Sequence, residues 1–376
     1  VSEVSFDVSS LFDPLRAFTL GSLPVLGLTL PYSVLQSGGE YNVWGMVAGV
    51  PTQITGHTDG GPPYTSDEIL FPVLSPNETR ILYRMQRISD GAETLYGLDL
   101  AGESELVVLT TAGHRVMHPM WHPDSNQVVY ARGENFAFGG SIWTTDFSGA
   151  TPVNVYMPSP LGGSTGYYAF RPSFNYDGSK IAFWLERNTG TDGSEGLYVM
   201  DADGSNVTQI VAATGPYRSD GQQYAWANGS DKLVYEYLDD VVVINGDGTG
   251  ATTISVGDTA SQLCRVSKYA WSEDDSLVYA SSRWFDGSVF RWTAYSLEAD
   301  GGGAVRLNDL HGPHDAANFR SVFRSWVDDR LYFIETQSPG KLASIATDGS
   351  DYTVEHLLTT GSIGTDFFVG TGFEFV

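Results

Sequence analysis

The loop Asn308-Asp-Leu-His-Gly-Pro-His-Asp315 brings His311 and His314 within a few residues of Asp309 and Asp315. Two imidazoles and two carboxylates on one short segment form a donor set that suits a divalent cation, so His311, His314 and Asp315 are the metal-site candidates. A zinc centre needs a fuller set, and no further histidine cluster clearly completes one. His114, His118 and His122 follow at four-residue intervals. On a helix that spacing would share one face. In the loop-and-strand setting expected here, His118 and His122 share a strand face with their side chains well apart, and a structural or turn role is the reading. Asp201-Ala-Asp-Gly-Ser-Asn206 resembles a calcium loop but lacks the downstream bidentate glutamate. The Asp-Gly pair recurs at Asp247-Gly248, Asp300-Gly301 and Asp348-Gly349, which argues for a turn in which Gly takes positive φ. No cofactor is expected; calcium or another divalent cation at these loops is the one exception the donors leave open.

Other chemistries find less support. No P-loop or dinucleotide fingerprint stands in a strand-to-helix setting. Asn77, Asn206 and Asn228 begin glycosylation sequons in expected turns, a pattern that chance also produces. Aromatic residues gather in or near the longer segments between strands: Phe136, Phe138, Tyr167, Tyr168, Tyr217, Trp284 and Phe285. Loops such as Ala131 to Ser141 and Glu186 to Gly196 would carry them to a rim, where aromatics serve as contact anchors or fold back on the sheets.

The elements that must position these residues repeat. Phe71-Pro-Val-Leu-Ser-Pro-Asn-Glu-Thr-Arg-Ile-Leu-Tyr83, His118-Pro-Met-Trp-His-Pro-Asp-Ser-Asn-Gln-Val-Val-Tyr130 and Arg171-Pro-Ser-Phe-Asn-Tyr-Asp-Gly-Ser-Lys-Ile-Ala-Phe183 share one pattern. So do the segments from Tyr224 to Tyr235, Tyr269 to Tyr279 and Phe323 to Phe333. Each reads as a hairpin: a strand ending in Leu74, Trp121, Phe174, Trp226, Trp271 or Trp326, a turn of Asp, Asn, Gly and Ser, then an apolar run. A second hairpin follows, as in Leu197-Tyr-Val-Met-Asp-Ala-Asp-Gly204. Two hairpins make a four-stranded unit with a period of about 45 to 55 residues, the range of propeller blades.

The hairpin resembles the P-x-W-S-P-D-G-x-x-I-A-F repeat of TolB-like, WD40-like β-propellers, most closely at Asp177-Gly-Ser-Lys-Ile-Ala-Phe183. The resemblance runs from Tyr41 to the C-terminus. It implies an all-β propeller of four-stranded antiparallel blades and says little about activity, because the motif residues build blades. Seven blades are expected, with six as the alternative. Tyr41 to Thr55 would be the second half of the seventh, and its first half would come from Thr365 to Val376, closing the ring through both chain ends, or from Leu15 to Leu35. Residues 1–40 are read as an extension that packs on the ring or docks on a partner, and 41–376 as the propeller. Some seven-bladed relatives, the oligogalacturonate lyases, hold a metal with channel histidines. Prolyl oligopeptidase relatives add an α/β-hydrolase domain, for which this chain leaves no residues. TolB proteins add an N-terminal α/β domain, for which residues 1–40 are too short.

Composition bounds the partners. The 376 residues carry 45 Asp and Glu against 20 Lys and Arg, a formal net charge of -25. That surface repels phosphate backbones and anionic lipid, so neither nucleic acid nor membrane is an expected partner. Lysine occurs only at Lys180, Lys232, Lys268 and Lys341. High acid with few lysines fits a salt-adapted protein, whose carboxylates keep the surface hydrated while salt screens their repulsion. Cys264 stands alone, so no intrachain disulfide forms. The apolar stretch Phe18 to Leu35 is broken by Pro24 and Pro31, and makes a poor signal peptide and a poor membrane span. The function expected is a non-catalytic scaffold for protein–protein interaction, an exposed subunit of a virion or cell surface that binds other proteins of its assembly, itself, or a surface receptor or glycan. A cytoplasmic location is the alternative. The competing functions are a metal-dependent carbohydrate lyase or hydrolase, and a TolB-like envelope partner.

Overall fold

The computed structural model describes residues 28–35, 41–47, 50–54, 67–87, 93–100, 105–110, 114–134, 140–148, 152–159, 166–187, 193–212, 224–237, 240–255, 265–285, 290–307, 319–325, 330–335, 340–348, 350 and 353–358. Among them every regular element is a strand, and the strands form seven antiparallel sheets. The first sheet has three strands, β1 (Leu28–Leu35), β2 (Tyr41–Val47) and β3 (Val50–Gln53). Six sheets of four strands follow. The second is β4 (Asp67–Leu74), β5 (Arg80–Arg87), β6 (Glu93–Asp99) and β7 (Glu105–Thr110). The third is β8 (His114–Trp121), β9 (Gln127–Glu134), β10 (Ser141–Asp146) and β11 (Val153–Tyr156). The fourth is β12 (Tyr167–Phe174), β13 (Lys180–Arg187), β14 (Gly196–Asp201) and β15 (Thr208–Ala212). The fifth is β16 (Tyr224–Trp226), β17 (Lys232–Tyr237), β18 (Asp240–Asn245) and β19 (Thr252–Ser255). The sixth is β20 (Arg265–Trp271), β21 (Leu277–Phe285), β22 (Phe290–Glu298) and β23 (Ala304–Arg306). The seventh is β24 (Phe319–Ser325), β25 (Arg330–Glu335), β26 (Gly340–Ala346) and β27 (Thr353–Leu358).

In each sheet the strands pair in chain order, so every sheet is two successive hairpins joined into a meander. The core lies between sheets. Val43 and Ile54 of the first pack with Leu74, Ile81 and Tyr83 of the second. Val73, Leu82 and Leu95 of the second meet Trp121, Val128 and Tyr130 of the third. The same holds for the third against the fourth, the fourth against the fifth, and the fifth against the sixth. β-Branched and aromatic residues on both faces explain this: neither face can remain wet, and among the described residues the second to fifth sheets are covered on both sides by their chain neighbours.

Within residues 1–40, read as an extension that packs on the ring or docks on a partner, Leu28–Leu35 pairs with Tyr41–Val47, from Leu28 opposite Val47 to Leu35 opposite Tyr41. Adding this strand covers an edge of β2 that would otherwise present unpaired N–H and C=O groups. It belongs to the second of the two segments considered for the missing half-sheet. The other, Thr365 to Val376, lies outside the described residues, and with it the expected pairing of the two chain ends.

The repeated aromatic that ends each first strand binds one sheet to the preceding one. Trp121 Nε1 donates to the Val73 carbonyl at 3.0 Å, Trp226 Nε1 to Ser173 at 3.1 Å, and Trp271 Nε1 to Ala225 at 3.1 Å. The acceptor in every case is the residue just before Leu74, Phe174 or Trp226, the equivalent residue of the preceding sheet. Phe174 has no N–H to give. Its ring instead meets His122 edge-on, with centroids 4.7 Å apart. Gly178, at φ 76, is required beside that pair, since a Cβ there would stand 1.8 Å from His122 Nε2. Trp326, the sixth of the series, lies outside the described residues. The hairpin turns repeat the linkage: Asn77 N donates to Ser125 Oγ at 3.1 Å, Asn175 Nδ2 to Asp231 Oδ1 at 2.7 Å, and Asn228 N to Asp275 Oδ1 at 2.7 Å. Lys180 forms an ion pair with Asp231 across the same boundary.

Candidate functional site

Several candidates fall where the structure says little or something different. His311, His314 and Asp315 lie outside the described residues, as do Phe136, Phe138 and Tyr217. Trp284 and Phe285 are strand residues near the end of β21, opposite Arg291 and Phe290, rather than loop residues. Tyr167 and Tyr168 open β12, opposite Arg187 and Glu186, so they too belong to a sheet and not a rim loop. Tyr167 packs on the core between the third and fourth sheets, with the Arg187 guanidinium 5.7 Å from its ring centroid. His118 and His122 do not share a strand face. β8 ends at Trp121, so His122 sits in the turn beyond it, with Nδ1 2.8 Å from Asp124 Oδ1.

The Asp-Gly loops are turns built from their own carboxylates. Asp203 Oδ1 accepts from Ser205 N at 2.9 Å and Ser205 Oγ at 2.6 Å, and Asp201 Oδ2 accepts from Asn206 Nδ2 at 2.6 Å. Asp247 with Thr249 repeats the arrangement, and Asp348 accepts from Ser350 N. These hydrogen bonds, led by the side-chain hydroxyl, hold the Asp203, Asp247 and Asp348 carboxyls below their usual range. In the first-hairpin turn of the sixth sheet, Ser276 and Ser272 lower Asp274 to about 2. Among the described residues no group of three His, Cys, Asp or Glu side chains is placed to hold a metal ion.

The chemistry that does converge lies on the first strands of the sheets and, at Arg84, on the second strand beside them. β1 packs against β4, β8 against β12, β16 against β20, and β20 against β24, so these strands share one side of the assembly. Four of them carry an X-Pro pair within a register shift: Leu30-Pro31, Phe71-Pro72, His118-Pro119 and Arg171-Pro172. Proline has no N–H for the ladder, so within a sheet it belongs at an edge or a bulge. The bulge turns the residue before it: His118 has φ 51 and Arg171 has φ 52, left-handed conformations that non-glycine residues seldom adopt.

Side chains from the sheets on either side lie near these two re-aimed residues. Arg84 of β5 is buried, and its Nη1 donates to the Val116 carbonyl at 2.8 Å, two residues before His118. His118 is half-buried, with its ring centroid 6.5 Å from that of Phe170, and its Nδ1 is sealed from solvent without a hydrogen-bond partner. Leaving such a nitrogen unpaired costs about 1–3 kcal/mol. Burial, then the charges of Arg171 and Arg84, hold the His118 imidazole well below its usual pKa, so it is neutral at pH 7. On the far side of Arg171, the Tyr224 hydroxyl accepts from Ser173 Oγ at 3.0 Å and faces the carbonyls of Ala182, at 2.8 Å, and Arg171. Burial pushes the Tyr224 phenol above its usual range. The side chains gathered here are two guanidinium groups, a neutral imidazole and a protonated phenol. The sequence reading missed Arg84 and Arg171. For Arg171 the available signal was the X-Pro pair, in which the proline recurs while the residue before it changes from Phe71 to His118 to Arg171.

A string of the form Gly-x-Ser-x-Gly does occur, at Gly162-Gly-Ser-Thr-Gly166. It runs directly into β12, whereas a nucleophile elbow runs from a strand into a helix. It therefore gives no support to a serine hydrolase.

No protein-family model matches the chain. Solved structures do. A prolyl endopeptidase superposes with a TM-score of 0.64 at 12% identity, over 87% of this chain and 48% of the endopeptidase. The fold is a β-propeller. An oligogalacturonate lyase in complex with manganese superposes with a TM-score of 0.57 at 14% identity, over 90% of this chain and 85% of the lyase. TolB from Acinetobacter baumannii matches at 15% identity over 87% of this chain and 63% of TolB, with a TM-score of 0.49, too loose to bear on the architecture. The propeller chain thus spans about half of the endopeptidase and most of the lyase.

Proposed function

We propose that this propeller is a non-catalytic binding scaffold, an exposed assembly or receptor-binding subunit of a virion or cell surface in a salt-adapted setting. One observation carries the reading: the repeat's indoles, turn carboxylates and amides are taken up in linking sheet to sheet, so the recurrent residues build a rigid surface rather than a reaction centre. The acidic surface, kept hydrated in concentrated salt, favours the salt-adapted version. Sedimentation of native source material at its own salt concentration tests the proposal. Migration of the chain with large particles is the expected result; migration as a free monomer overturns it.

A second reading is a metal-dependent carbohydrate lyase. It is favoured by the superposition on a manganese-bound lyase of similar length, together with the donors His311, His314 and Asp315. Metal analysis of the purified protein separates the two. Bound manganese or another divalent ion that is lost in His311→Ala supports the lyase, and a metal-free protein supports the scaffold.

A further inference from the structure

The first-hairpin turn of the second sheet holds an asparagine where the same turn in other sheets holds an aspartate. We propose that Asn77 is an N-glycosylation site that carries an oligosaccharide on its side-chain nitrogen. This rests on the proposed exposure of the chain at a cell or virion surface, where a transferring enzyme would meet it.

The turn is built on one oxygen. Asn77 Oδ1 accepts from Ser75 Oγ at 2.8 Å, Thr79 Oγ1 at 2.8 Å and Thr79 N at 3.2 Å. In the sixth sheet Asp274 Oδ1 accepts the same set, from Ser272 Oγ at 2.7 Å, Ser276 Oγ at 2.7 Å and Ser276 N at 3.0 Å. Asp124 and Asp177 likewise accept from the backbone N two residues on. A carboxylate therefore serves this turn as well as an amide does. The amino group of Asn77 has no part in the turn, and among the described residues it donates no hydrogen bond.

The three sequons differ at that nitrogen. Asn206 Nδ2 donates to Asp201 Oδ2 at 2.6 Å. Asn228 is half-buried, and its Nδ2 donates to the carbonyls of Ser272 at 2.9 Å and Trp271 at 3.3 Å, bonds that join the fifth sheet to the sixth. Pro76 to Thr79 are exposed, so of the three only Asn77 presents an uncommitted amide nitrogen with its threonine beside it. Whether attached before or after folding, a glycan at Asn77 leaves every hydrogen bond of the turn in place, while one at Asn228 takes a hydrogen from the blade junction. In the transfer, Asn77 Nδ2 bonds to the anomeric carbon of a sugar carried on a lipid phosphate. The bond from that carbon to the phosphate oxygen breaks, its electron pair leaves with the phosphate, and the proton lost by nitrogen passes to solvent.

The experiment is mass spectrometry of the full chain from its native source, first intact and then as peptides, on the sedimentation fractions described above. The expected result is a mass above that of the sequence, with a hexose- or pentose-containing increment on the peptide that carries Asn77. Asn77→Asp, made in the same cells, keeps the oxygen that builds the turn and should lose that increment completely. Thr79→Ser keeps both the sequon and the hydroxyl and should retain it. A bare Asn77 overturns the proposal, as does an increment that persists undiminished in Asn77→Asp. The two failures are distinguishable. A bare Asn77 in a chain that migrates with large particles overturns the glycan and leaves the scaffold standing. A glycosylated Asn77 in a free monomer does the reverse, and a bare free monomer overturns both.

Discussion

His118 joins the residue scale to a measurable pH effect. Its folded pKa lies well below 6.5, so on acidification the unfolded chain binds the proton first. Stability from the neutral imidazole is therefore fully present above pH 6.5 and is lost as pH falls from there toward the depressed folded value. His118→Asn retains a residue suited to positive φ and removes the titration. Unfolding in urea at pH 7.5 and 5.5 should show a smaller acid-induced loss in the variant, by about 1 kcal/mol. An unchanged loss would mean that the imidazole titrates in the native state as it does in the unfolded chain. Gly178 offers a steric test. Gly178→Ala meets both a left-handed φ of 76 and the His122 ring, whereas Gly193→Ala meets only a φ of 87, with nothing within 4 Å. The conformational part costs about 1–2 kcal/mol at either position. Gly178→Ala should lower stability further, and equal losses would show that the His122 ring moves aside freely.

At the scale of the element, the strand-ending aromatic is what turns separate meanders into stacked blades. Trp226 is buried between the fourth and fifth sheets and hydrogen-bonded to Ser173. Trp226→Phe removes the indole N–H and should cost about 1 kcal/mol or somewhat more. Trp226→Ala also opens a cavity and should cost about 3–5 kcal/mol. The fourth sheet shows why Phe is the milder change: Phe174 fills the same position, with His122 packed on its edge in place of the hydrogen bond. Chemical denaturation of both variants checks the order. If Phe and Ala prove equally damaging, the hydrogen bond rather than the buried ring dominates the junction.

For the whole molecule, the net charge of -25 sets the response to salt. Self-repulsion among carboxylates opposes the compact state, and added salt shortens its range from about 30 Å at 0.01 M to about 3 Å at 1 M. The melting temperature should rise steadily from low to molar sodium chloride in calorimetry. A flat or falling profile would show that local ion pairs such as Lys180–Asp231 outweigh the overall repulsion. Cooperativity is expected to follow the packing, since every described core cluster is shared by two consecutive blades and no sheet buries its faces alone.

The strands and their grouping were legible in the sequence because they follow from local chemistry. Alternating aromatic and β-branched residues, closed by Asp-Gly and Asn-Gly turns, dictate hairpins wherever they stand, and the strands do end at Leu74, Trp121, Phe174, Trp226 and Trp271. The role of those aromatics as links was not legible, because the acceptor carbonyl lies about one repeat away. Nor was the place of Leu28–Leu35, whose Pro31 hides a strand that pairing with Tyr41–Val47 stabilises. The cluster of Arg84, His118 and Arg171 was least visible of all. Arg84 and Arg171 are unremarked within their own repeats, and only the stacking of blades, with bulges at His118 and Arg171, brings the two arginine charges near enough to lower the His118 pKa.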